Sequence, residues 1–204
     1  MSILSSSVSI TRYKVQGKIN APIIDNISDG LKSNTIIEID NQISDKTIGW
    51  TSFEKPFQPD FDGSSFVYAN YFVFSLRIDK KNIAAKVLKK HYEIEASKRM
   101  ADSGRDFLSK IEKNMVKEHV ISGLSVRIPA TPNIYDLVWN YEDSVIWFFS
   151  NLKAANEELE TLFSKSFSLS LIRLFPYTAA ELSAGFSDSQ LDELHKISPT
   201  QFVK

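Results

Sequence analysis

Residues 66–78 read FVYANYFVFSLRI, a run of aromatic and β-branched side chains with few polar breaks. Such a run is a strand apolar on both faces, and a strand of that kind needs cover above and below. The chain must therefore build layers around a sheet, and it has the material to do so. Its 204 residues are 43% hydrophobic, with 14 Phe, 7 Tyr and 3 Trp. That supply supports a real core and excludes both disorder and a small disulfide scaffold.

The remaining elements follow from periodicity and breakers. Residues 8–18 alternate as a strand. Asn20 before Ala21-Pro22 marks a helix start, and Ile23, Ile24, Ile27 and Leu31 carry helical spacing, with Gly30 and Asn34 near its end. Residues 36–39 and 47–50 are short strand candidates, and 54–64 (EKPFQPDFDGS) read as a loop. Residues 134–141 and 145–149 form a hairpin around Glu142-Asp143-Ser144. Ser150 or Asn151 then caps a helix burying Leu152, Ala155, Leu159, Leu162 and Phe163, followed by a strand over 167–175. Strand, capped helix and strand thus occur twice, near 8–39 and near 145–175. The pattern predicts an α+β fold: two small β-α-β-type lobes with antiparallel sheet, joined by long cationic helices. Phe72, Phe74, Leu76, Trp139, Trp147 and Phe149 are expected in the core. This domain should span 1–182, with 183–204 a polar tail holding one short amphipathic stretch near 191–197.

Charge is balanced overall but not locally. Residues 80–117 hold 11 basic and 5 acidic side chains, against 7 and 9 over 1–79 and 5 and 10 over 130–204. One cationic segment therefore sits between two acidic flanks. It reads as two helices. Ile83, Ala84, Val87, Leu88 and Ile94 share a face across from Lys86, Lys89 and Lys90. After Gly104, the residues Phe107, Leu108, Ile111 and Met115 form a stripe across from Lys110, Lys113 and Lys117.

Little in the chain points to catalysis. There is no cysteine, which excludes thiol chemistry, Cys-based zinc sites and disulfides and fits a reducing compartment. His91, His119 and His195 lie far apart and lack metal-ligand spacing. Glycines stand only at 17, 30, 49, 63, 104, 123 and 185, too sparse for a phosphate-cradling loop. Glu38 with Asp40 and Asp60 with Asp62 are the closest carboxylate pairs, and a Mg²⁺-dependent nuclease is the enzyme they would support. A solvated strand face or an acidic turn is the simpler explanation of both, so neither an enzyme nor a cofactor is expected. No apolar run reaches the roughly 18–20 residues that span a bilayer. The opening MSILSSSVSI lacks the features of a leader, so a cytoplasmic protein is expected. What the cationic helices do support is sequence-independent binding of a polyanion through its phosphates. The competing reading is an interaction protein whose lysines are merely solvated and whose acidic C-terminal region meets a basic partner.

The order of elements resembles the RdgC family of bacterial recombination-associated proteins over residues 8–177. Gly49-Trp50-Thr51 is similar to the family's Gly-Trp-Val after its second strand, and the Ala69-Asn70 strand leads into the lysine-rich helices. Residues 110–118 (KIEKNMVKE) resemble the family's basic run, and Leu124-Ser125-Val126-Arg127 stands where the family has Leu-Leu-Pro-Arg. The hairpin with Trp139, the helix over 150–163 and the strand ending at Pro176 also correspond. Two departures stand out: Pro129 follows Arg127 instead of preceding it, and the aromatic of the family's Arg-Ala-Phe is missing. The resemblance implies binding of double-stranded DNA without sequence preference and restraint of recombinase filaments, in a nucleoid-associated protein. The phosphate contacts it implies are Lys86, Lys89, Lys90, Arg99, Arg105, Lys110, Lys113 and Lys117. Family members close DNA-encircling dimeric rings through segments beyond position 204. For this chain the expectation is a monomer or a one-interface homodimer with an open basic groove.

Overall fold

The computed structural model describes residues 3–198. Among these, the elements run β1 (Thr11–Gln16), α1 (Ile23–Ser33), β2 (Lys46–Thr51), β3 (Val67–Tyr68), β4 (Tyr71–Lys80), α2 (Ala85–Ser103), α3 (Lys110–Ser125), β5 (Thr131–Asn140), β6 (Val145–Phe148), α4 (Lys153–Phe167), β7 (Ser170–Leu174), α5 (Pro176–Ala184) and α6 (Asp188–Lys196). The strands form one antiparallel sheet in the order β2-β4-β5-β6-β1-β7, with β3 folded back on the start of β4. The fold is α+β, as the sequence implies. The unit expected near 145–175 exists as β6-α4-β7, whereas the one expected near 8–39 does not close at 36–39 and runs on instead to β2 as β1-α1-β2. They do not form separate lobes, because β1 inserts between β6 and β7 and merges both halves into one sheet.

The strand expected to be apolar on both faces is β4, buried continuously from Phe72 to Asp79 but apolar on one face only, since Ser75, Arg77 and Asp79 occupy the other. Phe72, Phe74, Leu76 and Ile78 face α1 and α4 and join the main core with Ile27, Leu31, Leu159 and Phe163. Trp139 sits in its centre, with ring centroids 5.0 Å from Phe163 and 5.5 Å from Phe167. Trp50 packs edge-on against Phe74 at 5.1 Å and donates its indole N–H to Ser166 Oγ at 2.7 Å. These aromatic contacts weld α4 to β2, β4 and β5, which is where most of the apolar burial lies.

The opposite face of β4 buries polar groups. Arg77 donates from Nε to Asp79 Oδ1 at 2.9 Å and from Nη2 to Asp79 Oδ2 at 2.5 Å. Glu38 lies 2.9 Å from the same guanidinium, Pro56 accepts from Nη1 at 3.3 Å, and the Phe57 ring covers it at 5.1 Å. Farther along, Asp136 accepts from Ser75 Oγ at 2.9 Å and from the Ile3 N–H at 2.8 Å. Loop 52–66 and the N-terminal coil therefore cover this end of the face; Arg77 and Asp79 are paired as their desolvation requires, and Asp136 is satisfied by hydrogen bonds alone.

Several local expectations differ, and Trp147, expected in the core, is only partly buried. The start of α1 is Pro22 rather than Asn20, and no side chain caps it. Residues 36–39 form no strand. Only Thr35 bridges Trp50, with the Ile36 N–H donating to the Trp50 carbonyl at 3.0 Å. Leu152 precedes α4 and stays exposed, while Ala155, Leu159, Leu162 and Phe163 are buried as expected. The amphipathic stretch of the tail is α6, and residues 199–204 of that tail lie outside the described residues.

Gly49 permits the close approach of chain 35–36 to β2. A Cβ there would lie 2.4 Å from Ile36 N and 2.5 Å from Ile36 Cα, both backbone atoms that cannot swing aside. Gly49→Ala is therefore expected to cost about 1–3 kcal/mol through overpacking. Urea unfolding measures this as a lowered midpoint at unchanged slope, and an unchanged midpoint would show that the segment yields.

Candidate nucleic-acid interface

β4 ends at Lys80 directly opposite Thr131, the first residue of β5. The 50 residues between must leave the sheet and return to the same place, and two antiparallel helices do so. Lys81 closes the base. Its Nζ donates to the carbonyls of Ser125 and Gln42 at 2.6 Å and of Asp40 at 3.1 Å. The Asp40 carboxylate also accepts the Ala130 N–H at 2.8 Å. Gly104, at φ 63°, ends α2 in the left-handed conformation that glycine adopts without strain. A capping box then starts α3: Ser109 and Glu112 exchange side-chain-to-backbone hydrogen bonds, and Arg105 lies 2.5 Å from Glu112.

The hairpin has a core of its own. Ala96, Leu108, Val116, Val120 and Leu124 are buried together with parts of Ile83, Leu88, Tyr92, Met100 and Ile128, separately from the sheet core. The seam is thus Leu88, Tyr92, Ala96 and Met100 on α2 against Val116, Val120 and Leu124 on α3, in steps of four. The expected apolar faces are largely wrong. Val87 and Ile94 are exposed, as are Phe107 (71%), Ile111 (73%) and Met115 (51%). Each helix has only one helical partner, which leaves room for a narrow seam and not for the broad stripe of a helix packed on a sheet.

All eight expected cations fall on this hairpin. Lys86, Lys89 and Lys90 are exposed on α2, and Arg99 on the same helix is half-buried. Arg105 lies in the connecting turn, committed to Glu112. Lys110, Lys113 and Lys117 are exposed on α3. Lys89 makes a loose pair with Glu93 at 3.8 Å. Residues 86, 90, 94 and 98 run two steps out of phase with the seam at 88, 92, 96 and 100. Lys86, Lys90 and Lys98 therefore form a ridge directly opposite it, roughly 18 Å long at 1.5 Å per residue. Lys98 was not among the expected contacts, although its spacing of eight from Lys90 would have revealed it once the seam was known. On α3, Lys113 and Lys117 flank the seam on one side, and Ile111 and Met115 flank it on the other.

The carboxylates weighed for a nuclease do not converge. Glu38 pairs with Arg77, Asp40 holds Ala130, and Asp60 accepts the Asp62 N–H at 2.9 Å. Asp62 itself lies 2.5 Å from Lys32. Among the described residues no three His, Cys, Asp or Glu side chains group closely enough to hold a metal ion. His91 and His119 sit on α2 and α3, while His195 stacks on Tyr177 at 4.4 Å. No described helix is long and apolar enough to cross a membrane. Compared with known proteins, the chain matches no family model and no curated relative, so the RdgC resemblance rests on the residues quoted above.

The Glu112 carboxyl is held down to about 2 by the Ser109 N–H, by Arg105 and by the Ser109 hydroxyl. A carboxyl lowered in the fold stabilises it above the ordinary value of 4.5 and loses that contribution as pH falls toward 2. An NMR titration of the Ser109 amide should thus turn over near pH 2. A midpoint near 4.5 would mean that the capping box does not persist in solution.

Proposed function

We propose that the protein binds double-stranded DNA without sequence preference, through phosphate contacts from the α2–α3 hairpin. The observation that carries this reading is the lysine ridge. Lys86, Lys90 and Lys98 stand on the outer side of a hairpin that projects from the sheet, with Lys113 and Lys117 beside the seam on α3. Cations so placed reach a phosphate backbone without disturbing any core, and phosphate contacts carry no direct sequence information. The RdgC resemblance adds the biological setting: a nucleoid-associated protein that modulates recombination, acting near recombinase filaments as a monomer or one-interface dimer. No catalytic step is assigned to it.

A second reading draws on Phe107, Ile111 and Met115. Three large apolar side chains exposed along the tip and one flank of α3 suit a protein partner. Under it the hairpin docks on protein, and the lysines only keep it solvated.

Duplex titrations separate the two. If about six phosphates are neutralised, affinity should fall about a thousandfold between about 50 and 200 mM salt, equally for unrelated sequences. Lys86→Ala with Lys90→Ala should weaken binding and lower the salt slope by about two. Unchanged affinity in that variant, or no binding at low salt and micromolar protein, would remove the DNA reading and leave the protein-docking one.

A further inference from the structure

The sheet face opposite α1 and α4 is covered at one end and partly covered at the other, where Val73, Val138 and Phe149 are buried with Ile3, Phe53, Tyr68, Tyr71 and Trp147 packed around them. The Arg77 end lies beneath Pro56, Phe57 and Glu38, and Asp136 is sealed by Ile3. Two cross-strand rows lie nearer the other end. One runs Val73, Val138, Trp147, Arg12 and Leu174, and the next runs Tyr71, Asn140, Val145, Lys14 and Ile172. The Trp147 and Tyr71 rings stand side by side, centroids 5.9 Å apart and planes 35° from parallel, and both remain partly exposed. On the strand beside Trp147, Arg12 is exposed, and Lys14 donates its Nζ to the Asp143 carbonyl at 2.7 Å.

We infer that this surface holds an unpaired nucleic-acid strand, with bases stacked on Trp147 and Tyr71 and phosphates against Arg12 and Lys14. Partly exposed aromatic rings on a sheet face with cations on the adjoining strand combine the two interactions such strands need. Stacking is indifferent to base identity, and the cations answer a charge on every phosphate. A duplex cannot use the rings, because its bases are already stacked on one another. The charge pattern favours this occupant over a protein. Neither row contributes an acidic side chain, while both contribute a cation from β1, Arg12 and Lys14. The face is formed by β1, β4, β5, β6 and β7 and does not rest on duplex binding by the hairpin.

Fluorescence isolates the site. Trp50 and Trp139 are 0% and 1% exposed, so quenching by a stacked base reports on Trp147. The full chain is titrated with oligonucleotides of about ten thymidines, with the matching uridines to distinguish DNA from RNA, and with a duplex as control. Thymidine or uridine strands are expected to quench the emission and the duplex to leave it unchanged. Affinity measured by anisotropy of a labelled strand should fall about ten-fold or more in Trp147→Ala and in Tyr71→Ala and recover in Trp147→Phe. Arg12→Ala alters only an exposed side chain, so it tests the site without risk to the core, and it should lower the salt slope by about one. Strands that bind without quenching, with equal affinity in Trp147→Ala and Arg12→Ala, would place them elsewhere and overturn the inference. It would also fall if those variants kept strand affinity but lost self-association in light scattering, since the face would then be a protein interface.

Discussion

β4 and β5 pair residue for residue from Tyr71–Asn140 to Lys80–Thr131, and the rest of the molecule is arranged around that ladder. One side of β4 carries Phe72, Phe74, Leu76 and Ile78 into the main core, and the other carries Ser75, Arg77 and Asp79 into a paired polar layer. A slip of one residue would exchange these faces, setting Arg77 and Asp79 against α4 without their partners. Register is therefore enforced from both sides. The same pairing brings the ends of the α2–α3 insertion together, so its helices must run out and back. The projection of the hairpin follows from the sheet.

Such an appendage is held differently from the domain that carries it. The sheet core is continuous and aromatic, whereas the hairpin buries a single seam and is tied down by Lys81 and Asp40 at its base. Few buried contacts and largely solvent-facing helices mean that it opens locally at lower free energy than the sheet. Under the proposed duplex binding this is an advantage, because outward lysines on a somewhat compliant hairpin can follow a backbone whose groove geometry varies. Its coupling to the rest is electrostatic and peripheral, so changes of charge on α2 and α3 should leave the fold intact.

Much of the architecture was legible where one residue type dominates the local physics. The strand at 66–78 announced itself because aromatic and β-branched side chains leave few alternatives, and Asp143-Ser144 marked a turn in which Ser144 takes a positive φ. Gly104 marked the end of α2 for a similar reason. The apolar faces of the hairpin are not legible in this way. Val87, Ile94, Ile111 and Met115 are apolar at helical spacing, and spacing alone cannot tell a seam from an exposed flank when the partner is a single helix. Ala96, small and unremarkable in sequence, lies in that seam instead. The merging of two β-α-β units into one sheet was equally hidden, since nothing in β1 says that its neighbours are β6 and β7. The cations were found by charge alone, and their grouping into a ridge became visible only through the seam.

The claim on which the account turns is that the hairpin is a locally stabilised element and the part of the protein that meets duplex DNA. Hydrogen exchange on the full chain, with and without a duplex at low salt, tests both halves at once. In the free protein, amides of α2 and α3 should exchange faster than those of β4, β5 and α4, and added duplex should slow exchange chiefly in α2 and α3. Equal protection of hairpin and sheet in the free protein, or duplex-induced slowing confined to the sheet and α4, would contradict it.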